Sequence, residues 1–183
     1  MPVARFRVIL GPANARRAGE ATVEGTVMAY DTISVTPVTP SIGGLVCGID
    51  LTAPLDTAVV RDLHDALMAH QVLFFRDQKL THESQKALGA HFGRLHVSVG
   101  GDGTNSKPLG EHPEVRALHF DENSKTVSGK EMWHTDQSCM EIPPMGTILY
   151  MHTVPPDGGG DTMFASMYAA YDALSSNMKK YLE

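Results

Sequence analysis

Four consecutive apolar residues, Val72-Leu-Phe-Phe75, followed at once by Arg76-Asp-Gln-Lys79, constrain this chain more than any other feature. Their β-branched and aromatic character and their lack of alternation read as a short strand buried in a core. Both flanks read as helices. After Pro54, which suits a helix entrance, Val59, Val60, Leu63, Leu67 and Met68 recur on one face across residues 55 to 70. On the other side, Thr81 is a good N-cap for a helix whose apolar face is Ala87, Leu88, His91 and Phe92, with Gly93 placed to end it. Ahead of the first helix, Thr32-Ile-Ser-Val-Thr36 alternates with the period of a half-buried strand. Gly43-Gly44 separates it from a second short strand, Leu45-Val-Cys-Gly-Ile49.

These elements need one hydrophobic core, and 183 residues suffice for one ordinary domain but not for two. Hydrophobic residues at 42% and charged residues at 20% fall in the globular range and exclude disorder, collagen-like repeats and coiled coils. A net charge of −6 removes the basic surface that a nucleic acid or an anionic membrane would require. Runs such as Val72–Phe75 and Thr147–Met151 are far shorter than the roughly 20 residues of a membrane span. Two cysteines, Cys47 and Cys139, make at most one bridge, which a chain of this size does not need, so a reducing, cytoplasmic setting is expected. A homo-oligomer is left open.

The ends of the chain are less regular. The first 29 residues carry four arginines against two glutamates, yet Gly11-Pro12 interrupts any amphipathic targeting helix and no apolar segment precedes a cleavage site. They read as a loose N-terminal extension, with the domain proper over residues 30–183. Residues 98 to 130 are rich in Gly, Asn, Ser, Lys and Asp, with strand character only over Val115–Phe120, and read as a functional loop or a disordered one. Gly146–His152 reads as a strand, residues 155–160 as a turn, and Asp161–Phe164 as the return strand. Ser166 is placed to cap a final helix with Tyr171, Leu174, Met178 and Leu182 on one face.

The chemistry-bearing stretch is Trp133-His134-Thr135-Asp136. On a strand, residues two apart share a side, so His134 and Asp136 would present an imidazole and a carboxylate together. With a third ligand this gives the facial 2-His-1-carboxylate set that suits Fe(II) and leaves positions open for substrate and oxygen. A His-x-Asp triplet is weak evidence alone, because His119-Phe120-Asp121 forms a second one at the edge of the loop-like region, where surface residues are expected. Cys139, three residues past Asp136, is expected to be buried filler. His152 is expected to be a partly exposed strand residue, and Lys179 and Lys180 to be solvated.

A family resemblance rests on an ordered set of segments: Gly48-Ile-Asp-Leu51, Val72-Leu-Phe-Phe-Arg-Asp-Gln78, Leu80-Thr81, Phe92-Gly93, His112-Pro-Glu-Val115, Trp133-His-Thr-Asp136, Pro143-Pro144, and Gly159-Gly-Asp-Thr162 through Ala170-Tyr171. Over residues 30 to 183 the chain resembles the taurine dioxygenase and 2,4-dichlorophenoxyacetate dioxygenase family of Fe(II)- and 2-oxoglutarate-dependent oxygenases. The resemblance implies a mixed α/β chain with a mainly β core, a double-stranded β-helix or jelly roll with helices packed outside. It implies Fe(II), 2-oxoglutarate and O₂ as cofactor and co-substrates. His134 and Asp136 would be the first two iron ligands, Thr162 would hydrogen-bond a carboxylate of 2-oxoglutarate, and Trp133 would wall the site. The reaction implied is hydroxylation of a small, anionic organic substrate with decarboxylation of 2-oxoglutarate to succinate and CO₂.

The chain departs from the pattern twice. The family's second histidine ligand, and the arginine for the distal carboxylate of 2-oxoglutarate, lie far downstream in a longer chain, whereas this sequence stops at Glu183. The expectation is therefore an N-terminal portion of an enzyme that alone binds iron weakly. The His-Pro-x-Tyr element that touches the sulfonate in the taurine branch is replaced by His96-Val-Ser-Val-Gly100, which argues against taurine and leaves His96 and Lys130 as candidates for meeting an anionic substrate. The alternative from another class is a non-catalytic, cupin-like binding or assembly protein without the metal centre. A zinc hydrolase, with Glu141 as the nearby carboxylate, is more distant.

Overall fold

The computed structural model describes residues 6–11, 28–97, 106–121, 133–154 and 161–183. In chain order the elements are β1 (Phe6–Gly11), β2 (Met28–Ala29), β3 (Ser34–Pro37), β4 (Gly44–Cys47), α1 (Thr57–His70), β5 (Val72–Arg76), α2 (His82–Ala90), β6 (Ser106–Leu109), β7 (His112–Leu118), β8 (Gly146–Tyr150), α3 (Met167–Asp172) and α4 (Ser176–Leu182). Six strands make one mixed sheet in the order β2-β3-β4-β5-β1-β8. The β2–β3 and β3–β4 pairs are antiparallel, and β4–β5, β5–β1 and β1–β8 are parallel. The β6–β7 pair forms a separate antiparallel hairpin.

The helix boundaries follow from local chemistry. Asp56 caps α1 by accepting from the Val59 N–H at 2.9 Å, two residues beyond Pro54. The helix stops where Gln71 turns left-handed, with φ 65° and its N–H on the Leu67 carbonyl at 2.8 Å. Thr81 and Ser84 cap α2 reciprocally, each side chain taking the other's backbone N–H. Between these helices β5 alternates: Leu73 and Phe75 join Val35, Val46, Leu63, Ala66, Leu67 and Leu88 in the core, so α1 and α2 cover one face of the sheet. Each such fully buried large side chain contributes about 1.5–3 kcal/mol. Phe74 points the other way and meets the Phe164 ring edge-on, with centroids 6.1 Å apart.

The buried carboxylate of Asp62 ties the β3 side to α1, accepting from the Thr32 N–H at 2.8 Å and Oγ1 at 2.9 Å, and from Arg61 at 3.2 Å. Burial raises its pKa, but the Thr32 and Arg61 hydrogen bonds outweigh that, and the net direction is down.

Several expectations are corrected. Phe6–Gly11, from the stretch read as a loose extension, lies between β5 and β8 with parallel partners on both sides. Such long-range pairing leaves no local signal in the sequence. Asp161–Phe164 is not a strand, and the single final helix is two, because Ser175 opens a second N-cap by accepting from the Met178 N–H. No residue of α3 or α4 is buried. Within residues 98–130 the described part is the β6–β7 hairpin, and the turn expected at 155–160 lies outside the described residues. The sheets of the described residues are this six-stranded one and the two-stranded β6–β7 hairpin. No described helix is long and apolar enough to cross a membrane.

Candidate functional site

The face of the sheet opposite α1 and α2 carries the candidate site. Ile148 and Tyr150 of β8 pack toward the core, so strand alternation puts Thr147 and Leu149 on the far face. Trp133–Thr135 has no regular structure and residues 136–139 form a turn, so His134 and Asp136 are not strand residues as expected. They still lie side by side, with His134 Nε2 3.4 Å from Asp136 Oδ1. Asp136 uses its other oxygen, Oδ2, to accept from the Thr147 hydroxyl at 3.0 Å. The strand therefore orients the carboxylate and leaves Oδ1 on the imidazole side. The two side chains are 57% and 38% exposed, which keeps them open to a cation from solvent.

Proximity alone does not set this pair apart. His119 Nε2 and Asp121 Oδ2 approach to 3.7 Å just past β7, with the imidazole 80% exposed. Asp136 is hydrogen-bonded to a strand of the main sheet, the kind of outer partner that orients a metal ligand. Thr147 carried no signal in the sequence, because a threonine in a strand is ordinary β-propensity. No group of three His, Cys, Asp or Glu placed to hold a metal exists among the described residues. His134 and Asp136 thus bring one imidazole and one carboxylate together, the donor types a metal ion takes.

The other candidates scatter. Trp133 is 68% exposed beside His134. Thr162 is exposed in an irregular segment. Lys130 lies outside the described residues. His96 lines a cleft of about 420 Å³ with Arg94, Leu95, Met140, Glu141 and Ile142, so the chain leaving α2 meets the chain leaving the Asp136 turn. Its Nε2 is sealed from solvent with no hydrogen-bond partner among the described residues, so contact through that nitrogen requires the ring to turn. Cys139 is exposed rather than buried, because it sits on the turn and not on a strand. His152 is exposed just past β8, its Nδ1 3.0 Å from Thr153 Oγ1. Lys179 donates to the Asp172 carbonyl at 3.1 Å and lies 5.1 Å from the Tyr171 ring centroid, so it is engaged and not simply solvated.

Comparison with known proteins gives a match to the family model described as Taurine catabolism dioxygenase TauD, TfdA family over residues 34–183. An (S)-phenoxypropionate/alpha-ketoglutarate-dioxygenase from Delftia acidovorans is 34% identical over 146 residues, which are 78% of this chain and 49% of the relative. An alpha-ketoglutarate-dependent sulfonate dioxygenase from Saccharomyces cerevisiae is 33% identical over 158 residues, 82% of this chain and 37% of the relative. An alpha-ketoglutarate-dependent sulfate ester dioxygenase from Pseudomonas putida is 31% identical over 157 residues, 81% of this chain and 46% of the relative. The chain spans half or less of the length of these relatives.

Proposed function

The chain belongs to the taurine catabolism dioxygenase TauD, TfdA family, and on that premise we propose that it supplies the His134–Asp136 part of an Fe(II)- and 2-oxoglutarate-dependent dioxygenase site. The observation that supports this most is the pairing of His134 Nε2 with an Asp136 carboxylate whose other oxygen is held by Thr147. Bound iron, with 2-oxoglutarate and O₂, would couple decarboxylation to succinate and CO₂ with hydroxylation of a C–H bond. The chain's own part is to hold two of the metal's ligands at a fixed angle, through Thr147, and to set Trp133 beside them as a wall. Thr162 is the proposed partner for a carboxylate of 2-oxoglutarate. The fold that completes this site is proposed to be the jelly roll.

The substrate class proposed is a small organic anion. The relatives' names speak of a phenoxypropionate, a sulfonate and a sulfate ester, all of which carry a negative charge. His96 and Lys130 remain the proposed contacts.

Anaerobic titration with Fe(II) and 2-oxoglutarate, followed by the visible charge-transfer band, tests the reading. The expected result is a weak band lost in His134→Ala and in Asp136→Ala but kept in His119→Ala. A band that survives both of the first two substitutions, or no iron binding at any concentration, sinks it. The lack of a third ligand among the described residues favours a second reading, a non-catalytic cupin-like binding or assembly protein, for which the titration would show no band at all.

A further inference from the structure

We propose that His70 is an acid-operated latch at the joint between α1 and β5, whose protonation releases the 39–44 turn and the N-terminus of α3. His70 is only 9% exposed, and its Nε2 reaches neither solvent nor a hydrogen-bond partner. The ring lies on the backbone of Gly44, where a Cβ would come within 3.0 Å of His70 Cγ and 3.1 Å of Cδ2. No side chain larger than hydrogen fits between them, so the slot is closed around a flat, neutral ring.

Three segments converge on this joint. The His70 carbonyl accepts from the Gly43 N–H at 2.9 Å, and Gln71 caps α1 in a left-handed conformation that a non-glycine residue rarely adopts. The Gln71 side chain reaches outward in two directions, with Oε1 accepting from the Ser166 hydroxyl at 2.9 Å and Nε2 donating to the Ser41 carbonyl at 3.5 Å. Ser166 is the N-cap of α3 and follows Thr162 by four residues. Along the sheet, Val72 and Thr147 share a row through β1, so the joint sits at the same end of the sheet as the Thr147–Asp136 hydrogen bond, about 10 Å away at ordinary strand spacing.

Among the described residues no counter-charge is paired with His70 to accommodate a proton. Val35 of β3 and the ring of His70 both crowd Gly44 of β4, while Ser41 and Ser166 bond the neighbouring Gln71 side chain, and none of these groups carries a charge. On α1 itself, His64 and Asp65 are exposed more than a turn away, and Asp62 is engaged with Thr32 and Arg61. Burial is what pushes the His70 pKa below its ordinary 6.5, while its place in the last turn of α1 favours the cation and keeps protonation within reach. Burial in the closed joint thus disfavours the proton relative to the opened joint. As pH falls below 6.5 the opened form gains, and with it go the Gly43 and Gln71 backbone hydrogen bonds and the Gln71–Ser166 link.

The test is made on the full chain without iron, so its outcome is independent of the metal site. Imidazole ¹⁵N shifts of His70 and amide exchange at Gly43 and Gln71, corrected for intrinsic rates, are followed by NMR as the pH is lowered. His70 is expected to titrate below 6.5, with exchange at both amides accelerating by up to about tenfold per pH unit in the window between the ordinary and the folded pKa. His70→Gln, or His70→Leu should the first not fold, is expected to abolish the acceleration, and Ser166→Ala to leave it intact. A His70 that titrates at or above 6.5, amides that stay protected through its titration, or an acceleration that persists without the imidazole would overturn the latch. The wild-type arm decides the question even if neither His70 variant folds.

Discussion

At the scale of single residues, the site is defined by which atoms are already engaged. Asp136 has two carboxylate oxygens, and one is spoken for by Thr147 at 3.0 Å. Removing that hydroxyl while keeping the shape, in Thr147→Val, is expected to weaken Fe(II) binding by about 10–100-fold, the usual effect of losing an outer partner of a ligand. Circular dichroism should be unchanged, since Thr147 contributes a hydrogen bond and not core volume. An iron affinity equal to wild type would show that the hydroxyl does not set the carboxylate. The two histidine–aspartate pairs make the same point from the other side. His134–Asp136 and His119–Asp121 have similar separations, and Asp136 is in addition hydrogen-bonded to Thr147 of β8.

At the scale of elements, the segments with strong local chemistry were the legible ones. Thr81 was recognisable as a cap because its hydroxyl and that of Ser84 complete a box that needs nothing beyond four residues. The run Val72–Phe75 was recognisable because it is apolar on both faces of the strand, Leu73 and Phe75 entering the core and Phe74 meeting Phe164. The return strand expected at Asp161–Phe164 and the unbroken final helix do not form, for a related reason. Their patterns were short, and Ser175 offered the chain a second cap that outweighed continuation of the apolar face. Phe6–Gly11 is the clearest case of an element fixed by its partners, since β1 owes its place to β5 and β8, both far along the chain. Deleting residues 1–11 is expected to cost at least about 2 kcal/mol, or roughly 4–8 °C in Tm. A deletion variant that melts with the full chain would return this stretch to the status of an extension.

At the scale of the whole molecule, stability rests on the layer of α1 and α2 against one face of the sheet, and two titratable groups in that layer give it a pH dependence. His70 has a folded pKa lowered by burial, so its contribution is complete above 6.5 and is lost as pH falls through the folded value. Asp62 also has a lowered folded pKa, so its contribution is complete above 3.8 and is lost further down as pH falls through its own folded value. Thermal melting is therefore expected to decline in two stages on acidification, the first beginning near 6.5 and abolished in His70→Leu, the second beginning near 3.8 and abolished in Asp62→Asn. A single decline confined to the lower range would contradict the role given to His70. Elsewhere, large apolar side chains stay open: Trp133, Ile142, Met163, Met167 and Tyr181 are each more than two-thirds exposed.

What the amino-acid order settled by itself was everything governed by neighbours within a few residues: the caps at Thr81 and Ser166, the helical face of Val59, Leu63 and Leu67, and the motif Trp133-His-Thr-Asp136 with the family it points to. Hydrogen bonds across three or four residues and a periodic apolar face are encoded where they act, so they can be read where they are written. Tertiary structure decided the rest: that β1 enters the sheet beside β8, that Thr147 holds Asp136, that His70 is shut behind Gly44, and that Cys139 faces water. Each of these joins atoms from segments with no local claim on one another, or depends on a turn whose direction the packed sheet sets. Only the folded chain brings such partners into contact.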